Sequence, residues 1–117
     1  MRVYAFDKCS TCKKALAYLG TIGRTFELKA IRETPPTLKE LRKMLKVYEG
    51  KPGRLFNTSG LDYRAMGLGA KLKSMKPEQA LRLLAKNGNL VKRPFVIVGN
   101  TGMCGFQIDD WKSKGMR

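Results

Sequence analysis

The sequence predicts an α/β fold, a mixed β-sheet with helices packed against it, from three observations. Its hydrophobic pattern runs strand–helix–strand, then a helical block, then strand–strand–helix, so two separated pieces of chain can complete one sheet. The apolar runs at 3–6 and 95–98 are short enough for buried strands and too short for helices. The length of 117 residues suits one domain, and no internal repeat or long linker divides it. With 43% apolar and 28% charged residues the chain has the composition of a globular protein, not of a disordered or membrane-spanning one.

Residues 1–6 read as a strand running into the turn Asp7-Lys8, and Ala15, Leu16, Leu19 and Ile22 follow at helical spacing. Gly23 fits the position just past that helix, and 25–29 alternates like a second strand covering one face. Beyond Pro35-Pro36, Thr37 and Glu40 form a capping box ahead of the apolar stripe Leu38, Leu41, Met44 and Leu45. Gly50, Pro52 and Gly53 break this helix, and 55–68 reads as short helical turns around Ser59-Gly60. Pro77 opens a helix carrying Ala80, Leu81 and Leu84, which Asn87-Gly88 closes. Arg93-Pro94 leads into the strand at 95–98; 99–102 reads as a turn and 103–106 as the returning strand of a hairpin. In 109–114 acids come first and lysines last, the order that a helix dipole favours. Thioredoxin-like folds have this plan.

The chemistry concentrates in Lys8-Cys9-Ser10-Thr11-Cys12-Lys13-Lys14. Cys9 stands where the first helix begins, so unpaired backbone N–H groups and the positive dipole end favour its thiolate and make it the candidate nucleophile. Cys12 follows within the first turn, placed to attack a mixed disulfide at Cys9 as the resolving thiol. The surrounding lysines add a secondary positive potential, and Ser10 and Thr11 can cap the helix or meet a substrate. Half of a zinc site is the competing reading, but the chain has no histidine and only Cys104 remains, so a four-ligand set would need a partner chain. Cys104, in the last strand, reads as a small buried hydrophobe. An X–Pro bond before a strand is a candidate cis bond, and a cis Pro94 would bring a backbone edge beside the cysteine turn for an extended thiol substrate. From residue type alone, Arg93 reads equally as a solvated cation or as a guanidinium aimed at that turn.

A signal-peptide pattern is missing from the first residues, and three cysteines are too few for a disulfide framework, so the expected compartment is the reducing cytoplasm. Lys and Arg outnumber acids 24 to 9, for a net charge of +15, enough to attract phosphates or acidic protein surfaces. The excess is spread along the chain without a basic tail or interleaved aromatics, which argues against direct nucleic-acid binding.

Four segments in order resemble the arsenate reductase (ArsC) family, including its Spx-like branch: residues 8–15 around the cysteines, Glu33-Thr34-Pro35-Pro36-Thr37, Leu55-Phe56-Asn57-Thr58-Ser59-Gly60 and Arg93-Pro94-Phe95-Val96. The resemblance runs nearly end to end. It implies a single 1–117 domain with a thioredoxin-like core at 1–34 and 88–117 and a helical insertion at 35–87. It carries the family's nucleophile onto Cys9, and onto Arg93 the arginine before its cis proline, a charge-assisted donor to an oxyanion or thiolate. The expected substrate-contacting positions are Ser10, Thr11, Lys13, Asn57 and Pro94. The chain departs from glutaredoxin-linked arsenate reductases where Asn57 and Gly105 occupy or adjoin the places of two further arginines and Lys13 replaces another. A tetrahedral oxyanion would lose much of its clamp. Those enzymes lack a second cysteine at the position of Cys12, whereas Spx-like proteins have one.

The expected function is therefore a thiol–disulfide reductase of a disulfide or oxyanion substrate. It would bind no cofactor of its own and be reset by an external thiol donor: glutathione, glutaredoxin or thioredoxin. The alternative is an Spx-like regulator that contacts the RNA polymerase α subunit and uses the cysteine pair as an oxidation switch. No membrane contact is expected, and a monomer is the simplest assembly.

Overall fold

The computed structural model describes residues 1–117 and contains a four-stranded mixed sheet in the order β2-β1-β3-β4. β1 (Arg2–Ala5) pairs parallel with β2 (Glu27–Ala30) and antiparallel with β3 (Phe95–Val98), which pairs antiparallel with β4 (Thr101–Cys104). Parallel neighbours cannot be joined by a tight turn, and α1 (Ser10–Thr21) supplies the crossover. Between β2 and β3 lie α2 (Leu38–Val47), α3 (Leu61–Ala65), α4 (Leu68–Lys71) and α5 (Pro77–Lys86), with short 3-10 turns at Pro52–Leu55, Leu72–Ser74 and Gly88–Leu90. α6 (Ile108–Ser113) follows the hairpin. No helix is long and apolar enough to cross a membrane.

β3 is apolar throughout and β1 is apolar after Arg2, because these two central strands are covered on both faces. On one face Val3, Ala5, Val96 and Met103 pack with Ala15 and Leu19 of α1 and Trp111 of α6. On the other, Tyr4, Phe95 and Cys104 pack with Leu41 and Met44 of α2 and Leu81 and Leu84 of α5. Alternate residues of β1, β3 and β4 thus serve opposite cores, the period of two that extended backbone imposes.

α2 is tied to β1 by a buried carboxylate. Glu40, the third residue of α2, accepts the Thr37 backbone N–H at 3.0 Å, while its own N–H donates to the Thr37 hydroxyl at 3.2 Å, completing the expected capping box. The Tyr4 hydroxyl donates to Glu40 Oε1 at 2.7 Å, and Arg2 Nη1 donates to Glu40 Oε2 at 3.2 Å. Burial acts to raise the Glu40 carboxyl, but these donors outweigh it and hold the group below its ordinary range. Burial, together with Glu40, pushes the Tyr4 phenol up to about 12.

Three boundaries differ from the sequence reading. The second strand lies at Glu27–Ala30 rather than 25–29, and as an edge strand it leaves Leu28 exposed instead of covering a face. The first strand ends at Ala5, which frees Phe6 from the sheet. The hairpin turn is only Gly99-Asn100: Val98 pairs with Thr101, and Gly99 has φ 55°, the positive value glycine supplies at the first position of a type II′ turn. Gly102 therefore belongs to the strand. Its lack of a side chain answers a packing demand, since a Cβ there would lie 2.6 Å from the Val96 carbonyl oxygen and 2.7 Å from Met44 Cε. β4 then stops at Cys104, where Gly105 at φ 77° turns the chain away before Phe106.

Gly88 joins the helical block to the sheet edge. A Cβ at Gly88 would stand 1.8 Å from the Ile31 carbonyl oxygen, a backbone atom that cannot swing aside. Gly88→Ala is expected to cost about 1–3 kcal/mol of unfolding free energy, the scale of overpacking, while Gly53→Ala, which meets open space, should stay within about 0.5 kcal/mol. Denaturant titration of both variants checks the contrast, and equal midpoints would refute it.

Candidate active site

The site is built where β1 hands over to α1. The turn Phe6-Asp7-Lys8 is closed by the Cys9 N–H, which donates to the Phe6 carbonyl at 3.1 Å. Cys9 is the N-cap of α1, with extended backbone at φ −91° and ψ 117°. Its sulfur takes the place that a serine or aspartate oxygen fills in most caps, accepting the Cys12 backbone N–H at 3.3 Å. A thiol here faces the positive end of a 12-residue helix.

The two cysteines of the turn have different surroundings. Cys9 is half-buried and opens onto a surface depression, whereas Cys12 is fully buried among Val3, Ala15 and Trp111. Burial pushes the Cys12 thiol well above its ordinary value; hydrogen bonding with Cys9 and the charge of Cys9 act the same way, opposed by the Phe6 backbone and the charge of Arg93. Cys104 lies in the other core, as expected of a buried hydrophobe, and burial pushes its thiol up to about 12. All three cysteines are unbridged.

The depression has a volume of about 690 Å³. Of the residues singled out from sequence, Cys9, Ser10, Thr11, Asn57 and Arg93 line it together, although they come from three distant segments. Lys13 lies exposed on α1 and Pro94 lies buried, and neither lines the depression. The Arg93–Pro94 peptide is cis, and the Pro94 carbonyl accepts the Gly105 N–H at 2.9 Å.

Asn57 reaches the site through a short antiparallel bridge between Phe56 and Val91. Its N–H donates to the Leu90 carbonyl at 2.7 Å, and the Lys92 N–H donates to the Leu55 carbonyl at 2.8 Å. The loop then turns tightly at Gly60, where a Cβ would stand 2.8 Å from Asn57 Nδ2. Asp62 anchors it from beyond, accepting Asn87 Nδ2 at 3.0 Å and Asn89 Nδ2 at 3.3 Å. These bonds lay the helical block beside Arg93.

Phe6, Lys92, Leu61 and Phe106 also line the depression and escaped the sequence reading. Phe6 was legible only as a strand residue, and nothing in the pattern marks a single lysine or leucine as facing a site. Lys8, Lys92 and Arg93 are the charged groups of the lining, which holds no carboxylate. A second depression, of about 590 Å³, lies around Arg2, Lys39, Glu40 and Lys43 at the other end of β1 and contains no cysteine. No cluster of three or more His, Cys, Asp or Glu side chains stands ready to hold a metal ion.

A β-α-β unit with cysteine at the first turn of its helix, closed by an antiparallel hairpin that follows a cis proline, is the architecture of the thioredoxin-like class. Within that class the chain belongs to the ArsC family, whose sequence profile matches residues 4–113. It is similar to the Bacillus subtilis protein YusI, 36% identical over 109 residues that cover 93% of this chain and 92% of that one. The structure of an ArsC-family-related protein from Bacteroides fragilis superposes with a TM-score of 0.91 at 32% identity, covering 99% of this chain and 96% of the other. The global transcriptional regulator Spx of Listeria innocua is 25% identical over 92% of this chain and 81% of its own length.

The unequal burial of the thiols has a direct readout. In the folded protein at neutral pH, iodoacetamide is expected to label Cys9 alone, with Cys12 and Cys104 reacting only after denaturation. Peptide mass mapping of the labelled protein checks this; prompt labelling of Cys12 would contradict the buried position.

Proposed function

We propose that this protein is a thiol–disulfide reductase in which Cys9 is the nucleophile and Cys12 the resolving thiol. The observation that carries the reading is the Cys9 sulfur itself, open to the depression and held at 3.3 Å by the Cys12 N–H at the mouth of α1. The Cys9 thiolate attacks one sulfur of a substrate disulfide, forming a Cys9 mixed disulfide and releasing the other sulfur as a thiolate. Cys12 then loses its proton to the departing thiolate or to water and attacks Cys9, releasing the second substrate thiol. The substrate gains two electrons and the protein ends as the Cys9–Cys12 disulfide, which an external dithiol such as reduced thioredoxin or glutaredoxin, or two glutathione molecules, returns to the starting state.

The order of events follows from electrostatics. Burial, the hydrogen bond with Cys9 and the charge of Cys9 all keep Cys12 protonated in the resting protein. Formation of the mixed disulfide removes that charge, and Arg93, which favours the Cys12 thiolate, then acts with less opposition. Arg93 serves the leaving thiolate as a charge-assisted donor, and Ser10, Thr11 and Asn57 contact the substrate beside it. Lys13 and Pro94 act from outside the lining, Lys13 through its charge and Pro94 by setting the path of Arg93. Disulfides fit better than arsenate, because Asn57 and Gly105 bring no positive charge to the places where two further arginines would clamp a tetrahedral oxyanion.

Cys9→Ser is expected to abolish turnover of a small disulfide. Cys12→Ser should instead stop after one step and accumulate a mixed disulfide at Cys9, visible as the added mass of one substrate half. Full activity of Cys9→Ser would remove the nucleophile and sink the proposal.

The similarity to Spx favours a second reading, in which oxidation of the same pair switches contact with the RNA polymerase α subunit. Under that reading, binding to the isolated α C-terminal domain differs between the dithiol and disulfide states; no binding in either state ends it.

A further inference from the structure

Phe6 leaves the sheet one residue after β1 and sets its ring at the edge of the larger core, where it is partly buried. Two guanidinium groups lie against that ring, Arg93 with Cζ at 5.3 Å from the centroid and Arg32 at 4.9 Å. Neither arginine forms an ion pair with any carboxylate of the chain. Arg93 Nη1 is buried and donates to no protein acceptor. Arg93 is thus held by a π face.

A carboxylate in the same place would orient Arg93 equally well but would cancel its charge at the sulfur. An aromatic ring attracts the cation through its quadrupole and leaves the net charge intact. We propose that Phe6 is the positioning residue of the site: its ring holds the Arg93 guanidinium toward Cys9 while keeping the positive charge available to an incoming or departing anionic sulfur. Arg32, exposed on the same ring, adds to the positive field. The inference rests on the reading of Cys9 as nucleophile and Arg93 as its cationic neighbour. It adds a residue whose ring acts through Arg93 and not directly on the reacting sulfur.

The test compares alkylation of Cys9 by iodoacetate, an anion, and iodoacetamide, its neutral counterpart of similar size. The ratio of the two rates reports the positive charge at the sulfur, and salt should lower it. Arg93→Gln is expected to reduce the ratio about fivefold at low salt, the scale of one charge acting at close range. Phe6→Leu, which keeps the apolar volume and loses the ring, should reduce it comparably. Phe6→Trp should retain it, and Phe6→Leu combined with Arg93→Gln should fall no further than Arg93→Gln alone.

A lowered ratio in Phe6→Leu that Phe6→Trp shares would mean that the ring only packs, and the proposal falls. An unchanged ratio in Phe6→Leu beside a lowered one in Arg93→Gln overturns the positioning role and leaves the reductase reading standing. An unchanged ratio in Arg93→Gln removes the cation from the mechanism altogether, and Phe6 with it.

Discussion

Where α1 begins decides almost everything about this molecule, because the first amides of that helix are what meet the Cys9 sulfur. The starting point is not free. β1 pairs in parallel with β2, so the chain must cross the sheet between them, and α1 is the crossover. Ala15 and Leu19 lock its inner face against Val3, Ala5 and Val96. With the helix pinned and β1 pinned, only the three residues Phe6-Asp7-Lys8 remain to connect them, and Cys9 has no other place to stand. Its cap geometry is a consequence of sheet packing.

The helical block between β2 and β3 supplies the opposite wall. It buries the second face of the sheet through α2 and α5, and Glu40 stitches α2 to β1 with donors from Tyr4, Arg2 and Thr37. The same block sends Asn57 to the depression along the bridge at Phe56 and Val91. A bonding network around Tyr48 secures the far side: its hydroxyl accepts the Cys104 N–H at 3.0 Å and lies 2.9 Å from Asp110 of α6. Trp111 adds an indole N–H to the Gly105 carbonyl at 3.0 Å. The hairpin that carries Arg93 at its entry is therefore braced from both cores.

Charge is distributed with a purpose that the net value of +15 hides. The ion pairs of the protein join Arg2, Arg42, Arg82 and Lys114 to carboxylates that do not line the depression around Cys9. The cations of the depression, Lys8, Lys92 and Arg93, have no such partners, and no acid lines it. The lining thus presents positive charge by arrangement as well as by total charge.

The sequence by itself determined the α/β plan and the placing of Cys9 and Cys12 at the first turn of α1, because these depend on local order: period-two and helical runs, a capping box, and a spacing of one turn at a helix start; the family was legible separately, in the resemblance of residues 8–15, 33–37, 55–60 and 93–96. It also marked Arg93-Pro94 through the proline. It misread the turn at 99–102, because a glycine required by packing, Gly102, looks the same in sequence as one required by a turn. Only the tertiary structure decided that Phe6 turns out of the sheet to meet Arg93 and Arg32, that Lys92 and Leu61 share the depression, and that Lys13 does not. Those relations join residues dozens of positions apart, and side-chain direction across such distances is set by how the sheet and the helical block pack together, which no local pattern encodes.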